Sequence, residues 1–248
     1  MRYLLLSDIH SNLVGLEKCL EAAKGKYDKV ICLGDLVGYG PDPNPVITRV
    51  REISQMIIRG NHDKACCGLT DAAEFNPLAK AATEWTRAQL MPEHNDFLRN
   101  LPIGPLAIDW FEIVHGSPGD EDEYILGPGQ ALPTLRNMKI QAAFFGHTHY
   151  QGGFTLNAAG RFQSIRCQFK DDGQPFQLKL EDGGRYLINP GSAGQPRDGD
   201  WRVGCAVVDA ERHEVNYYRT KYDLPETQKK MRAAGLPDQL IRRLELGR

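Results

Sequence analysis

Residues 2–10 read Arg-Tyr-Leu-Leu-Leu-Ser-Asp-Ile-His, an apolar run that stops on Asp8 and His10 and is followed by a helical pattern over 13–24. A short apolar run ended by polar residues reads as a buried strand, and an apolar repeat near 3.6 residues as a helix packed upon it. The unit recurs. Residues 29–33 end on Gly34-Asp35 and precede a helical stretch over 45–53, and residues 55–59 end on Gly60-Asn61-His62-Asp63. Strand and helix alternating in this way predict a largely parallel sheet with flanking helices, because crossover connections are right-handed.

Working outward, 64–100 reads as helical, with 79–89 its strongest piece between Pro77 and Pro92, and is expected to form a cap-like segment at the sheet's carboxyl edge. From residue 106 strands dominate, at 106–108, 111–115, 142–145, 153–156, 162–167, 176–180, 185–189, 203–208 and 213–218. Asp172-Gly173 and Asp182-Gly183-Gly184 suit hairpin turns. The second half is therefore expected to build a second, mostly antiparallel sheet packed on the first. With no repeat or linker in view, residues 1–248 are expected to form one domain.

Composition narrows the function classes. Hydrophobic residues make up 41% of the 248 and charged ones 25%, which is ordinary soluble globular usage, and the apolar runs are too short for a membrane span or signal peptide. The net charge is -2, so no global field would hold a nucleic-acid polymer or an anionic lipid surface. Charge is uneven, however: 219–248 carries eight basic residues against four acidic. There Leu240, Ile241 and Leu244 form a helical apolar stripe after Pro237, and the arginines read as its solvated face. The six cysteines show no C-x-x-C spacing, which favours reduced thiols and a cytoplasmic setting.

Five of the seven histidines, His10, His62, His115, His147 and His149, lie at or just past the end of a strand-like run. Ligand crevices in open α/β sheets lie outside the carboxyl ends of the strands, so these stretches aim at one place. On extended chain, residues two apart point the same way, which would pair Asp8 with His10 and His147 with His149 while Ile9 and Thr148 face away. Imidazole, carboxylate and amide oxygen without thiolate suit divalent ions of borderline hardness, such as Mn²⁺, Fe²⁺, Zn²⁺ or Co²⁺. Seven such donors exceed the needs of one ion, and two ions bridged by a carboxylate would use them.

At this point the sequence resembles the calcineurin-like metallophosphoesterase superfamily, whose ordered signature D-x-H, G-D, G-N-H-[DE], H and G-H-x-H is matched from Asp8 to His149. It is most similar to the small bacterial phosphodiesterase and phosphatase branch, with Gly38 to Pro43 and Asn189-Pro190-Gly191-Ser192 also like that branch's loops. The resemblance implies an α/β fold, a four-layer α/β/β/α sandwich of two mixed β-sheets flanked by helices. It implies one metal held by Asp8, His10, Asp35 and His149, and another by Asp35, Asn61, His115 and His147, manganese first with nickel among the alternatives. It also implies His62 as the catalytic acid, oriented by Asp63, and attack by a metal-bridging hydroxide.

The expected substrate is a small phosphoester, a dinucleoside polyphosphate being one alternative and a non-catalytic scaffold of the same fold another. Tyr39 and Trp201 are candidates to stack on a base, or else packed loop aromatics. Arg197 is a candidate second phosphate clamp, the alternative being an ion pair with neighbouring Asp198.

Overall fold

The computed structural model describes residues 1–73, 75–169 and 174–248. Its first sheet runs in the order β3 (Met56–Ile57), β2 (Lys29–Cys32), β1 (Arg2–Leu6), β11 (Val203–Asp209), β12 (Glu214–Thr220), β9 (Phe176–Lys179). The first three strands are parallel to one another and the last three join antiparallel, with Leu4 opposite both Val30 and Val207. The second sheet runs β4 (Leu106–Ala107), β5 (Phe111–Ile113), β6 (Ala142–Phe144), β10 (Arg185–Asn189), β7 (Gly152–Leu156), β8 (Phe162–Arg166), and its β5, β6 and β10 are parallel. Both sheets are mixed, and each carries a parallel trio whose carboxyl ends meet at one edge of the sandwich.

This corrects the expected division by halves: β9, β11 and β12 come from the second half of the chain yet complete the first sheet. Both faces of β11 are buried, Cys205 and Val207 toward the helices and Ala206 and Val208 toward the other sheet. Such a strand pairs centrally, beside β1, and the local apolar pattern does not name its neighbour. Likewise the Asp182-Gly183-Gly184 turn links strands of different sheets and makes no hairpin between them. The Asp172-Gly173 turn lies outside the described residues.

Three apolar layers hold the stack together. Helices α1 (Leu13–Ala22), α2 (Pro43–Ile53), α4 (Pro77–Gln89), α5 (Pro92–Arg99), α7 (Leu224–Ala233) and α8 (Asp238–Arg243) cover the outer face of the first sheet. Between the sheets lie Leu5, Ile31, Phe111, Phe144, Ile188 and Tyr217. On the far face α6 (Pro128–Asn137) sets Ala131 and Leu135 against Ala143 and Leu187. The strand-dominated reading did not anticipate α6; parallel β5 and β6 require a crossover, and Ala131 and Leu135 stand one helical turn apart.

Residues 64–100 are helical in part only. The short α3 (Asn61–Cys66) begins inside the G-N-H-D motif, α4 and α5 follow, and turns lie between α3 and α4. Trp201 packs on Tyr222 at the first sheet's helical layer, ring centroids 5.8 Å apart, and takes the structural alternative.

Candidate metal centre

The parallel trios deliver the site. Asp8 and His10 follow β1, Asp35 follows β2, Asn61 and His62 follow β3, His115 follows β5, and His147 and His149 follow β6. The backbone that aims them is not extended. Asp8, His10, Ser11, Asp35, Tyr39, His147 and His149 all have positive φ, leaving His213 as the one other non-glycine residue of this kind among those described. Left-handed conformations cost such residues energy, and their concentration here marks a site that the surrounding fold over-determines. Ile9 and Thr148 do face away, Ile9 into the apolar layer and the Thr148 hydroxyl accepting from Asn189 Nδ2 at 3.0 Å.

Second contacts fix the imidazoles. The Nδ1–H groups of His10, His115 and His149 donate to the carbonyls of Val37, Leu33 and Gln195 at 3.0, 2.8 and 2.5 Å. In His10 and His149, which burial keeps neutral, that tautomer leaves Nε2 as a bare lone pair turned inward. His147 is reversed, its Nε2–H donating to the Asp122 carbonyl at 3.1 Å, so Nδ1 is its free nitrogen. The Nε2 atoms gather round two carboxylates: His149 Nε2 is 3.3 Å from Asp8 Oδ1, and Asp35 Oδ2 is 3.6 Å from His10 Nε2 and 3.4 Å from His115 Nε2.

Two groups of donors have geometry suited to a cation, Asp8 with His10, Asp35 and His149, and Asp35 with His115 and His147, sharing Asp35. The fit is electrostatic as well as geometric. Asp8 Oδ2 and Asn61 Oδ1 are buried without a hydrogen-bond partner, and buried acceptors left unpaired are costly unless something positive binds them. Burial pushes Asp8 up to about 6 and holds His10 and His149 well below the usual histidine range. Burial also works against charge on Asp35 and His115, but their mutual attraction wins, leaving Asp35 well below the carboxylate range and His115 up at about 10. Asp35 thus favours positive charge where the two groups meet.

His62 stands on the first turn of α3, so it diverges from Asn61 by helical rotation and not by strand alternation. It is buried, with ring neighbours His10, Tyr39 and Phe75 at 4.9, 4.5 and 4.8 Å. Asp63 does not orient it: its carboxylate accepts from the amides of Leu36, Val37 and Gly60, capping α3 and pinning the loop after Asp35. A crevice of about 360 Å³ opens beside His62 and His147, walled by Tyr39, Tyr124, Phe75 and Lys64.

Arg197 is not paired with Asp198. That carboxylate pairs with Arg219, in a hydrogen bond from the Arg219 guanidinium, and accepts from the Gln151 amide. The Arg197 guanidinium instead lies over Tyr39 at 5.6 Å and donates to Gln195 Oε1 at 3.3 Å. Arg243 departs from the expected solvated face: it too lies over Tyr39, at 4.6 Å, and donates to Gln195 Oε1 at 2.7 Å. Arg242, exposed and paired with Asp238, fits that expectation. Asn189 and Ser192 also matter, the first donating to Gly146 O and Thr148 Oγ1, the second to Asp8 O.

Comparison with known proteins accords with this geometry. Residues 1–213 match the model of the calcineurin-like phosphoesterase superfamily domain. The uncharacterized protein MJ0912 of Methanocaldococcus jannaschii is 31% identical over 250 residues, covering 98% of this chain and 97% of that one. A metallophosphoesterase from Sphaerobacter thermophilus is 37% identical with a TM-score of 0.84, covering 100% of this chain and 99% of that one. Hypothetical protein PH1004 from Pyrococcus horikoshii OT3, 22% identical, shares the fold with a TM-score of 0.78, covering 100% of this chain and 98% of that one. With its donors gathered at the carboxyl ends of two mixed sheets, the chain belongs to the calcineurin-like phosphoesterase superfamily.

Proposed function

We propose that the protein is a metal-dependent hydrolase of a small phosphoester, a phosphodiesterase or phosphatase using two divalent ions with manganese as the native metal. Asp8, His10, Asp35 and His149 would hold one ion and Asp35, Asn61, His115 and His147 the other. The observation that carries this reading is the pair of facing lone pairs on His10 and His149, Nε2 to Nε2 at 3.0 Å with both Nδ1 protons donated elsewhere. Bound there, divalent ions supply charge neutralisation at the phosphoryl oxygens and acidify the attacking water.

The protein's own groups do the rest. His62 Nδ1 is buried and unpartnered over Gly38, leaving Nε2 as the nitrogen that delivers a proton to the leaving oxygen. Arg197, set beside Tyr39 and Tyr124, binds a substrate phosphate. The Tyr39, Phe75 and Tyr124 rings line the crevice and shield the reacting group from bulk water. A crevice of this size accepts a small ligand, and no described helix is long and apolar enough to cross a membrane. We place the protein in the cytoplasm on its cysteine usage, among which Cys19, Cys32, Cys66, Cys67 and Cys205 are buried.

The test is turnover of aryl phosphomonoesters, phosphodiesters and dinucleoside polyphosphates by metal-stripped protein before and after adding Mn²⁺. Metal-dependent turnover of at least one class is the expected result. A protein that takes up metal fully yet turns over none of them would be a scaffold of the same fold.

A further inference from the structure

Buried and partly buried cations are for the most part neutralised by a carboxylate. Arg59 pairs with Glu121, Lys64 with Glu121 and Asp122, Arg219 with Asp198, and Lys230 with Asp42. Arg197 and Arg243 differ. Neither has a carboxylate partner among the described residues, although both are partly buried, and they share one neutral acceptor, Gln195 Oε1. Arg243 Nε and Gln195 Nε2 are in addition buried donors with no acceptor. Two guanidiniums on one oxygen repel, and burial with Arg197 nearby lowers the basicity of Arg243.

Position gives this arrangement its meaning. The Tyr39 ring, contacted by both guanidiniums, is 4.8 Å from the His10 ring and 4.5 Å from the His62 ring, and Tyr39 lines the crevice. Arg243 reaches it from the end of α8, where Leu240, Ile241 and the following Leu244 anchor in the helical layer. On a helical wheel Arg243 borders that apolar stripe, one turn from Leu240, whereas Arg242 opposes it. Arg197 comes from a different segment, after β10. Two unrelated stretches of chain thus converge on an anion-poor spot beside the reacting centre, and guanidinium forks match phosphoryl oxygens.

We propose that Arg243 and Arg197 together form a second anion subsite, so that the preferred substrate is a small molecule carrying another phosphoryl group next to the one attacked. This deepens the phosphoesterase reading and rests on it. Arg243 acts as a specificity-determining residue, binding the phosphoryl group that is not cleaved.

The experiment compares two non-hydrolysable probes, methylphosphonate and methylenebisphosphonate, titrated calorimetrically into Mn²⁺-loaded protein. Wild type should bind the bisphosphonate more tightly. Arg243→Gln should weaken it by roughly tenfold to a hundredfold, the worth of a charge-assisted contact, and weaken methylphosphonate far less. Arg243→Lys, which keeps the charge but not the fork, should recover part of the loss, a pattern that mere loosening of α8 does not produce. Equal weakening of both probes, or no weakening of the bisphosphonate, would overturn the subsite. Failure of metal-loaded wild type to bind either probe would overturn the phosphoesterase reading, and this one with it.

Discussion

His10 and His149 face each other at 3.0 Å, Nε2 to Nε2, while the carbonyls of Val37 and Gln195 hold the opposite sides of both rings. The carbonyls fix the tautomer, and the tautomer leaves two lone pairs with no proton between them. A divalent ion resolves that repulsion and stabilises the native state by mass action. Elemental analysis of reconstituted protein should therefore give about two ions per chain, and metal should raise Tm. Asp35→Ala, which removes the carboxylate common to both donor groups, should lower the content to about one or fewer and abolish most of the rise. Undiminished loading in that variant would show that Asp35 bridges nothing.

His62→Asn should slow turnover by about 10² to 10⁴ while the metal content stays at the wild-type value. The reason is positional: Asn61 Oδ1 is buried with no hydrogen-bond partner and free to ligate, and His62, one residue on along α3, sits among Tyr39 and Phe75. Metal analysis beside kcat separates the roles. Loss of metal would make His62 a ligand.

Gly38→Ala probes the same ring from beneath. A methyl there would lie 2.7 Å from His62 Nδ1, at a φ of +91 that side chains rarely adopt. The buried imidazole has to shift, so kcat should fall by about tenfold or more, since a displaced acid loses its alignment. Stability should drop by roughly 1 to 2 kcal/mol from backbone strain. Unchanged kcat in a folded Gly38→Ala protein would remove His62 from the reaction.

The acid limb of stability should trace in part to Glu121. Hydrogen bonding from Arg59 is the main influence, and with Lys64 it outweighs burial and holds the carboxyl below its usual 4.5. A depressed folded value means the contribution is present above the unfolded pKa and is lost as pH falls through the folded one. Urea unfolding should show Glu121→Gln weaker than wild type by roughly 1 kcal/mol at pH 7, with the gap closing below about pH 4. A gap that persists unchanged at pH 3 would assign the effect to packing.

The donor residues were legible because each ends a strand run, and strand ends are local information. The structure groups Asp8, His10, Asp35 and His149, and Asp35, His115 and His147, and the left-handed backbone at Asp8, His10, Asp35, His147 and His149 was not foreseeable from an extended reading. Pairing partners were less legible. Val203–Asp209 has the apolar character of a buried strand, but only the assembled sandwich places it against β1 and not in the second sheet. Asp63 shows a different gap, since a carboxylate beside a histidine reads as its orienting partner until three backbone amides are found to occupy it. Tyr124 and Arg243 come from segments distant in sequence with no motif of their own. For Arg243 the one available signal was its place at the border of the α8 stripe.

The two parallel trios belong to different sheets, and each donor group draws from both: Asp8, His10 and Asp35 stand on one side of the sandwich, His115, His147 and His149 on the other. Elsewhere along the seam the sheets adhere mainly through apolar contacts, joined by a few hydrogen bonds such as Tyr217 Oη to Gly152 O. A cation seated at the edge would act as a rivet through both plates and make shear between them expensive. The ion proposed to equip the crevice for chemistry would then also be the fastener that sets how quickly the two halves can part.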